Sequence, residues 1–195
     1  MEIKITDDFD LKKIVESGQC FRPKEVDDGW FLFIVDENIL RIRKRDENIF
    51  EADCSAEEWE QIWKNYFDLD TNYAAIRRDI ENFATGKPYE EILRNATEFG
   101  KGIRILRQSP FEMLISFIIS QRKTIPAIRS SVEKICEKFG QQVGDVYLFP
   151  CVEDFSDATI EELMGLGLSY RKDYIKDALE KVSTGVIDFD ELETF

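Results

Sequence analysis

The sequence predicts an α+β protein, in which an N-terminal antiparallel β-sheet with flanking helices precedes an all-helical region. Up to residue 53, short segments rich in β-branched and aromatic residues are separated by brief turn signals. From Ser55 onward, apolar residues recur every three or four positions instead. Strands first and helices afterwards is the α+β pattern. We therefore expect one domain over residues 1–100, sheet plus helices, and a helical domain over residues 101–195.

The predicted strands cover residues 3–5, 30–37, 39–45 and 48–53. Their short connections favour an antiparallel meander. In the segment ILRIRKR at 39–45, apolar and cationic residues alternate, which indicates a strand with one buried and one solvated face. Between the first two strands, residues 10–17 predict a short helix that ends at Gly18.

The predicted helices begin at recognisable capping residues. Ser55 and Glu58 have the spacing of a capping box, and Asp70 or Thr71 is expected to cap the following helix. Ser109 and Pro110 suit the start of a helix that is apolar on nearly every side and should be buried. Further helices are expected over residues 89–98, 125–139, 157–166 and 169–183, with another beginning in 188–195.

The composition excludes several kinds of site. The chain has 195 residues, a net charge of −14 and no histidine, so a Ser-His-Asp or Cys-His mechanism cannot operate within it. The cysteines are scattered, which argues against a zinc site and favours four reduced thiols in a cytoplasmic protein. Neither a metal nor a cofactor is expected. The first residues do not resemble a signal peptide, and no apolar run approaches the ~20 residues of a membrane helix.

Positive charge is concentrated in one part of this acidic chain. Residues 101–150 hold 8 basic and 4 acidic side chains, a surplus of +4, which leaves −18 for the remainder. Local positive potential is what a nucleic-acid binder needs. The alternative is that these are ordinary solvated charges beside apolar helices. The cations that could supply the potential are Lys101, Arg104, Arg107, Arg122, Lys123 and Arg129.

Four segments, in this order, carry a resemblance: SGQCFR at 17–22, YFDLD at 66–70, GIRILRQSPFEMLISFIIS at 102–120 and LGLSYRKDYI at 166–175. Together they resemble an 8-oxoguanine DNA glycosylase/AP lyase of the helix-hairpin-helix glycosylase superfamily, over roughly the N-terminal two-thirds of a family member. The resemblance implies base-excision repair of double-stranded DNA containing oxidised guanine, by flipping the damaged base into a pocket. It also implies that the second domain is an incomplete glycosylase domain.

The resemblance assigns roles to individual residues. Gly18 matches the glycine whose backbone carbonyl reads the N7 proton of 8-oxoguanine; the alternative is a helix C-cap. Tyr170 and Arg171 match a pair that wedges beside the widowed cytosine and hydrogen-bonds it. The alternative for this pair is a half-buried tyrosine and a surface arginine at a helix start.

Arg122 and Lys123 depart from the family pattern. The family usually shows S-x-N-N-x-I here, and its first asparagine contacts the unpaired cytosine. Arg122 replaces that amide with a donor-only group, while both cations keep an attraction to DNA. A tryptophan usual after Phe-Arg is also replaced, by Pro23.

The family's nucleophile is a lysine at the end of a helix-hairpin-helix motif, with an aspartate further along. No Leu-Pro-Gly-Val-Gly or Leu-Pro-Gly-Ile-Gly hairpin occurs in the chain, so no catalytic residue is assigned and the chain itself is expected to be inactive. Lys172 and Lys176 stand beside Asp173 and Asp177, which disfavours a neutral amine. The alternatives to a glycosylase fragment are a non-catalytic DNA- or protein-binding module and a remnant without function. Apolar surface on helix 110–120 is expected to be left uncovered and to favour self-association.

Overall fold

The computed structural model describes residues 1–155 and 158–192, and the chain forms two compact units. The N-terminal unit contains Met1–Gln19, Pro23–Phe33 and Ile39–Arg107. The C-terminal unit contains Cys20–Arg22, Ile34–Asn38 and the residues from Gln108 onward.

The strands of the N-terminal region are β1 (Glu2–Lys4), β2 (Lys24–Glu25), β3 (Trp30–Val35), β4 (Asn38–Asp46) and β5 (Ile49–Ala52). They form a five-stranded sheet of order β1-β5-β4-β3-β2, which confirms the predicted α+β class with an antiparallel meander. Strand β4 shows the expected alternation, since Leu40 and Ile42 are fully buried while Arg41 is exposed. Strand β2 was not predicted, because two exposed residues carry no period-2 signal.

Aromatic rings form much of the core of the N-terminal unit. Phe67 is fully buried and meets Phe9 and Phe33 edge to face, with ring centroids 5.2 and 4.9 Å apart. Phe9 also contacts Phe50 of β5 at 5.1 Å. Edge-to-face pairs add to the stabilisation from burial, so these rings hold the sheet against the segment after Ser55.

The helices of this unit confirm most of the predicted boundaries. Ser55 Oγ accepts from the Glu58 amide at 3.1 Å and the Glu58 carboxylate accepts from the Ser55 amide at 2.7 Å, which is the predicted capping box. The residues that follow form a π-helical turn, Trp59–Trp63, that apolar spacing alone does not reveal. The helices are α1 (Leu11–Glu16), α2 (Ala56–Glu58), α3 (Lys64–Tyr66), α4 (Tyr73–Ala84) and α5 (Glu90–Gly100).

The predicted cap of α4 was wrong. Asn72, rather than Asp70 or Thr71, is the N-cap, and its side chain accepts from the Ala75 amide at 2.8 Å. The amides of Tyr73 and Ala74 donate to the carboxylate of Asp7, which lies far away in sequence. Two amides that have no partner within the helix are thus satisfied by a residue just after β1, a contribution that the local sequence cannot show.

The C-terminal unit is mainly helical, with Ile115, Ile119, Ile135, Leu168 and Ile175 fully buried in its core. A small hairpin at Gly144 interrupts the predicted all-helical region. Its two strands of two residues are too short to predict. The elements are α6 (Pro110–Ser120), α7 (Ile125–Phe139), β6 (Gln142–Val143), β7 (Val146–Tyr147), α8 (Ile160–Gly165), α9 (Arg171–Ser183) and α10 (Phe189–Leu192).

Two expectations for this unit need correction. Helix α6 is not buried on every side, because the Phe117 side chain is 76% exposed. Ser109 precedes α6 but its side chain makes no capping hydrogen bond. The predicted starts and ends at residues 157 and 193–195 lie outside the described residues. Within the described part, no helix is long and apolar enough to cross a membrane, and the four cysteines are unpaired.

Candidate nucleic-acid interface

Gly18 lies in an exposed turn directly after α1 in the N-terminal unit. Its φ of +81° is in the left-handed region, where glycine is favoured, and a Cβ there would meet no atom within 4 Å. The glycine is therefore required by backbone conformation and not by crowding. This agrees with the helix-ending role, and the proposed reading of a base by its carbonyl stays a prediction.

The turn between α6 and α7 presents Arg122 and Lys123 in the C-terminal unit. Arg122 has a φ of +51°, uncommon for a residue with a side chain, and is exposed. The Lys123 ammonium group donates to the buried hydroxyl of Ser131 on α7. The turn thus directs one cation to solvent and holds the next against α7.

Arg171, the first residue of α9, links this turn to the segment that carries Tyr170. Its Nε donates to the Gln121 carbonyl at 2.9 Å, a second guanidinium nitrogen donates to the same oxygen, and Nη1 donates to the Leu168 carbonyl at 3.4 Å. Arg171 is buried, so the alternative of a surface arginine was wrong. The carbonyl that receives it lies 50 residues earlier in the chain.

Tyr170 is 44% exposed, and the guanidinium of Arg171 lies 4.6 Å from the centroid of its ring. A cation over an aromatic face stabilises the ring's orientation. Tyr174, one turn later on α9, meets Tyr170 edge to face at 6.0 Å. An exposed aromatic ring is thus held by two side chains of its own helix.

The electrostatics of this region are one-sided. Burial and the nearby charges of Arg171 and Lys134 lower the pKa of the Lys123 amine. Within the part of the chain that the structure describes, none of these cations forms an ion pair with a carboxylate. We call Arg122, Lys123, Lys134 and Arg171 the cation cluster. The structure therefore brings Lys123, Arg171 and Tyr170 into one neighbourhood of the C-terminal unit, and Arg122 adjoins Lys123 in the same turn.

Sequence reasoning missed two members of this neighbourhood. Ser131 and Lys134 are three residues apart on α7 and so lie on the same face of that helix. The Lys123 ammonium group packs against this face through its hydrogen bond to Ser131. That spacing was the available signal, but it becomes informative only when the lysine is known to fold back onto α7.

Two other cations that could have contributed to DNA binding form ion pairs with carboxylates of the protein. Arg104 is fully buried in the N-terminal unit, where its guanidinium donates to the Asp7 carboxylate at 2.9 Å. It also donates to the carbonyls of Asp8, Asp68 and Thr71. Arg104, one of the cations that could have supplied positive potential, is therefore neutralised inside this unit. The sequence did not show this, because its partners lie more than thirty residues away. Arg107, similarly, pairs with Asp68 at 3.1 Å.

Lys172 and Lys176, considered as substitute nucleophiles, have ordinary surroundings. Lys172 Nζ pairs with the Asp173 carboxylate at 3.1 Å, as the sequence suggested. Asp177 instead pairs with Lys181 at 2.7 Å, one helical turn later. Lys176 is exposed.

Comparison with known proteins places both units. Residues 2–114 match the family described as 8-oxoguanine DNA glycosylase, N-terminal domain. Residues 115–187 match the HhH-GPD superfamily of base excision DNA repair proteins. The fold and the two matches define a protein of the helix-hairpin-helix base-excision-repair class.

Individual relatives agree. An N-glycosylase/DNA lyase of Saccharomyces cerevisiae is 38% identical over 88 residues, which is 42% of this chain and 23% of that protein. A solved structure of MBOgg1 with a low-affinity DNA ligand has a TM-score of 0.90 and 32% identity, covering all of this chain and 66% of its own. The apo form of Clostridium acetobutylicum 8-oxoguanine glycosylase/lyase gives 0.90 and 30%, covering all of this chain and 67% of its own. The chain belongs to the 8-oxoguanine DNA glycosylase family, and it spans about a quarter of its yeast relative's length.

Proposed function

We propose that this chain acts in base-excision repair by recognising oxidised guanine in double-stranded DNA. The observation that carries the proposal is the cation cluster beside the exposed ring of Tyr170, without a carboxylate partner among the described residues. Cations left unneutralised by the protein attract phosphate and release counterions on binding. Family membership supplies the lesion, since solved relatives bear the name 8-oxoguanine glycosylase.

Three roles are proposed for the residues of this surface. Arg122 and Lys123 bind the DNA backbone near the lesion, Tyr170 enters the gap that the flipped base leaves, and Arg171 donates to the base opposite. The last role requires the guanidinium to share or exchange its bond with the Gln121 carbonyl. An arginine has five N–H donors, which allows sharing.

Gly18 is proposed to read the lesion through its backbone carbonyl. 8-Oxoguanine carries a proton on N7 where guanine has a lone pair, so a carbonyl accepts from one and is repelled by the other. The Gly18 carbonyl accepts no hydrogen bond from the described residues, which leaves it available.

The experiment is a fluorescence-anisotropy titration with matched duplexes containing 8-oxoguanine or guanine opposite cytosine. We expect tighter binding to the lesion duplex and a steep dependence on salt. Replacing the cytosine with each other base measures the opposite-base preference that Arg171 is proposed to confer. Equal affinity for both duplexes at every salt concentration would leave only non-specific DNA binding.

The second candidate is a non-catalytic module that binds DNA or a protein partner. It rests on the described lysines, most of which are exposed or form ion pairs and so lack the surroundings of a nucleophile. Lesion-selective binding without excision supports this candidate, and excision with selective binding supports the glycosylase reading.

We further propose that these 195 residues do not form the covalent intermediate of a glycosylase/lyase. Most described lysines are exposed or paired, and a protonated ammonium group is a poor nucleophile. Incubation with 8-oxoguanine duplex and borohydride should therefore trap no protein–DNA adduct. Lys123 is the described lysine whose pKa is lowered, so the Lys123→Ala variant is the control that would assign any adduct.

Self-association is proposed through α6, where Phe117 is 76% exposed. A Phe117→Ser variant should shift a concentration-dependent elution profile toward the monomer. If wild type and variant elute identically at every concentration, this face does not mediate association.

We propose a cytoplasmic location for the protein, together with the DNA it acts on.

A further inference from the structure

The side chain of Gln19 ties the Gly18 turn to a distant segment of the N-terminal unit. Its amide nitrogen Nε2 donates to the Arg104 carbonyl at 2.8 Å, and its oxygen Oε1 accepts from the Leu106 amide at 2.8 Å. The glutamine thereby pairs with backbone groups two residues apart, as a neighbouring strand would do. These are contacts across more than eighty residues of sequence.

The same amide also braces the turn from within. Gln19 Nε2 lies 2.9 Å from Ser17 Oγ, and that hydroxyl donates to the Ile14 carbonyl in α1 at 2.7 Å. The residues on both sides of Gly18 are therefore connected, one to the helix and the other to residues 104–106. A primary amide suits this position because it both donates and accepts.

The segment that receives Gln19 is itself fixed to α1. Lys13 Nζ donates to the carbonyls of Phe99 and Lys101 at 2.9 and 2.8 Å, and the Asp10 amide donates to the Gly102 carbonyl at 2.9 Å. A Cβ on Gly102 would lie 2.6 Å from Asp10 Cβ, so the two stretches run in close contact. Gln19 thus anchors the turn to a rigid neighbour and not to a loose loop.

Packing around Gly18 cannot supply this rigidity. Gly18 is exposed, the space beside its Cα is open, and its carbonyl has no hydrogen-bond donor among the described residues. Glycine has more backbone freedom than any other residue. A recognition group must be held close to its productive geometry by supporting contacts, and here the hydrogen bonds of Gln19 are the supporting contacts on the side that follows Gly18.

We infer that Gln19 is a positioning residue that fixes the Gly18 carbonyl for discrimination between oxidised and normal guanine. The inference rests on the proposed function for its consequence in DNA binding. Its structural part, the immobilisation of the turn, can be measured without DNA.

The first test measures amide hydrogen exchange of the free protein over residues 15–22. In Gln19→Ala the exchange of this segment should accelerate about tenfold, while the sheet residues 30–46 keep their protection. Gln61→Ala is the matched control, because that glutamine makes only an exposed bond to Glu57 at 3.2 Å. Unchanged exchange in Gln19→Ala would overturn the inference whatever the protein binds.

The second test compares affinities for 8-oxoguanine and guanine duplexes. Gln19→Ala should reduce their ratio at least about fivefold with affinity for the guanine duplex kept, because only the carbonyl's placement is lost. Gln19→Glu should behave similarly, since a carboxylate accepts from Leu106 but cannot donate to the Arg104 carbonyl. A purely structural role would weaken binding to both duplexes equally, and that result would overturn the inference.

The two proposals fail in different ways. A wild-type protein that does not discriminate between the duplexes contradicts the proposed function, and the exchange experiment then still decides whether Gln19 immobilises the turn. A discriminating wild type whose ratio survives in Gln19→Ala contradicts the inference alone.

Discussion

Two buried arginines, one in each unit, both donate to backbone carbonyls but have opposite electrostatic consequences. Arg104 in the N-terminal unit donates to three carbonyls and to the Asp7 carboxylate. Arg171 in the C-terminal unit donates to two carbonyls, and its charge helps to lower the pKa of another cation, Lys123. The first charge is neutralised within the protein, whereas the second adds to a positive region.

The comparison shows that a cation's role depends on what surrounds it more than on how deeply it is buried. Burial alone would raise the pKa of Asp7, but the amides of Asp8, Tyr73 and Ala74, together with Arg104, bring it below its usual 3.8. That site satisfies itself and stabilises the fold. The cation cluster has no such partner and is suited to an external anion.

The largest expected effect tests the neutralised arginine. Arg104→Met removes the charge that balances Asp7 and takes a donor from three carbonyls, of which only that of Asp68 keeps another, the Thr71 amide. The free energy of unfolding should therefore fall by about 3–5 kcal/mol. Urea unfolding followed by fluorescence measures the loss.

Arg107→Ala is the control for this change. Its side chain is 61% exposed and its pair with Asp68 is at the surface, so the loss should stay below about 1 kcal/mol. If Arg104→Met is as stable as wild type but weakens DNA binding, the assignment of a structural role to Arg104 is wrong.

The next effect concerns pH and separates the two units. Burial raises the pKa of Glu112, a residue of α6, from 4.5 to about 7. The negative charges of Asp36 and Glu133 act in the same direction, and the positive charge of Arg22 acts against them. The folded state therefore holds a proton that the unfolded state releases. The stabilisation is complete below pH 4.5 and is lost as pH rises through about 7, by up to about 3 kcal/mol.

Glu112→Gln should remove this pH dependence, since an amide does not titrate, and should be more stable than wild type near pH 8. The Asp7 site has the opposite sign, because a lowered carboxyl pKa gives stability above its usual value that is lost in acid. Unfolding measured from pH 5 to 8 in wild type and variant checks the Glu112 prediction, and measurements of the wild type below pH 3.8 check the Asp7 site. If the stability of the wild type relative to Glu112→Gln rises between pH 5 and 8, the predicted direction of the Glu112 effect is wrong.

Local signals in the sequence predicted most of the fold. The alternation at 39–45, the Ser55–Glu58 capping box and the Pro110 helix start each depend on residues within a few positions of one another. The same reasoning failed wherever a partner was distant. The Asp7 carboxylate accepts hydrogen bonds from backbone amides at the start of α4 and neutralises Arg104. The Gln121 carbonyl accepts the hydrogen bonds of the buried Arg171.

The sequence predicted the family of the protein, whereas the roles of individual site residues stay predictions. The order of the four segments identified the family, and the turn with α9 does join Lys123 to Arg171. The contribution of Lys134 becomes visible only once Lys123 is known to fold back onto α7, and that of Gln19 depends on contacts more than eighty residues away in sequence. The roles in DNA binding stay predictions.

The smallest effects sharpen the cation cluster itself. Lys123→Ala should weaken binding to every duplex by about 1 kcal/mol and reduce the slope of log affinity against log salt by about 1, because one phosphate contact is lost. Lys138→Ala, on the adjoining helix α7, is the matched control, since Glu162 already pairs with it at 2.9 Å, and its slope should match wild type.

Tyr170→Ala tests whether the tyrosine ring enters the gap left by the flipped base or only contributes to general DNA binding. Removing an uncharged ring releases no counterions, so the salt slope should stay that of wild type. A ring that fills the gap beside a flipped base contributes only where the base leaves the stack, so affinity for the lesion duplex should fall several-fold while intact duplex is bound as before. The measurement is the same anisotropy titration at several salt concentrations. Equal losses on both duplexes would mean that the ring, held by Arg171 and Tyr174, is part of the general DNA-binding surface and not a wedge.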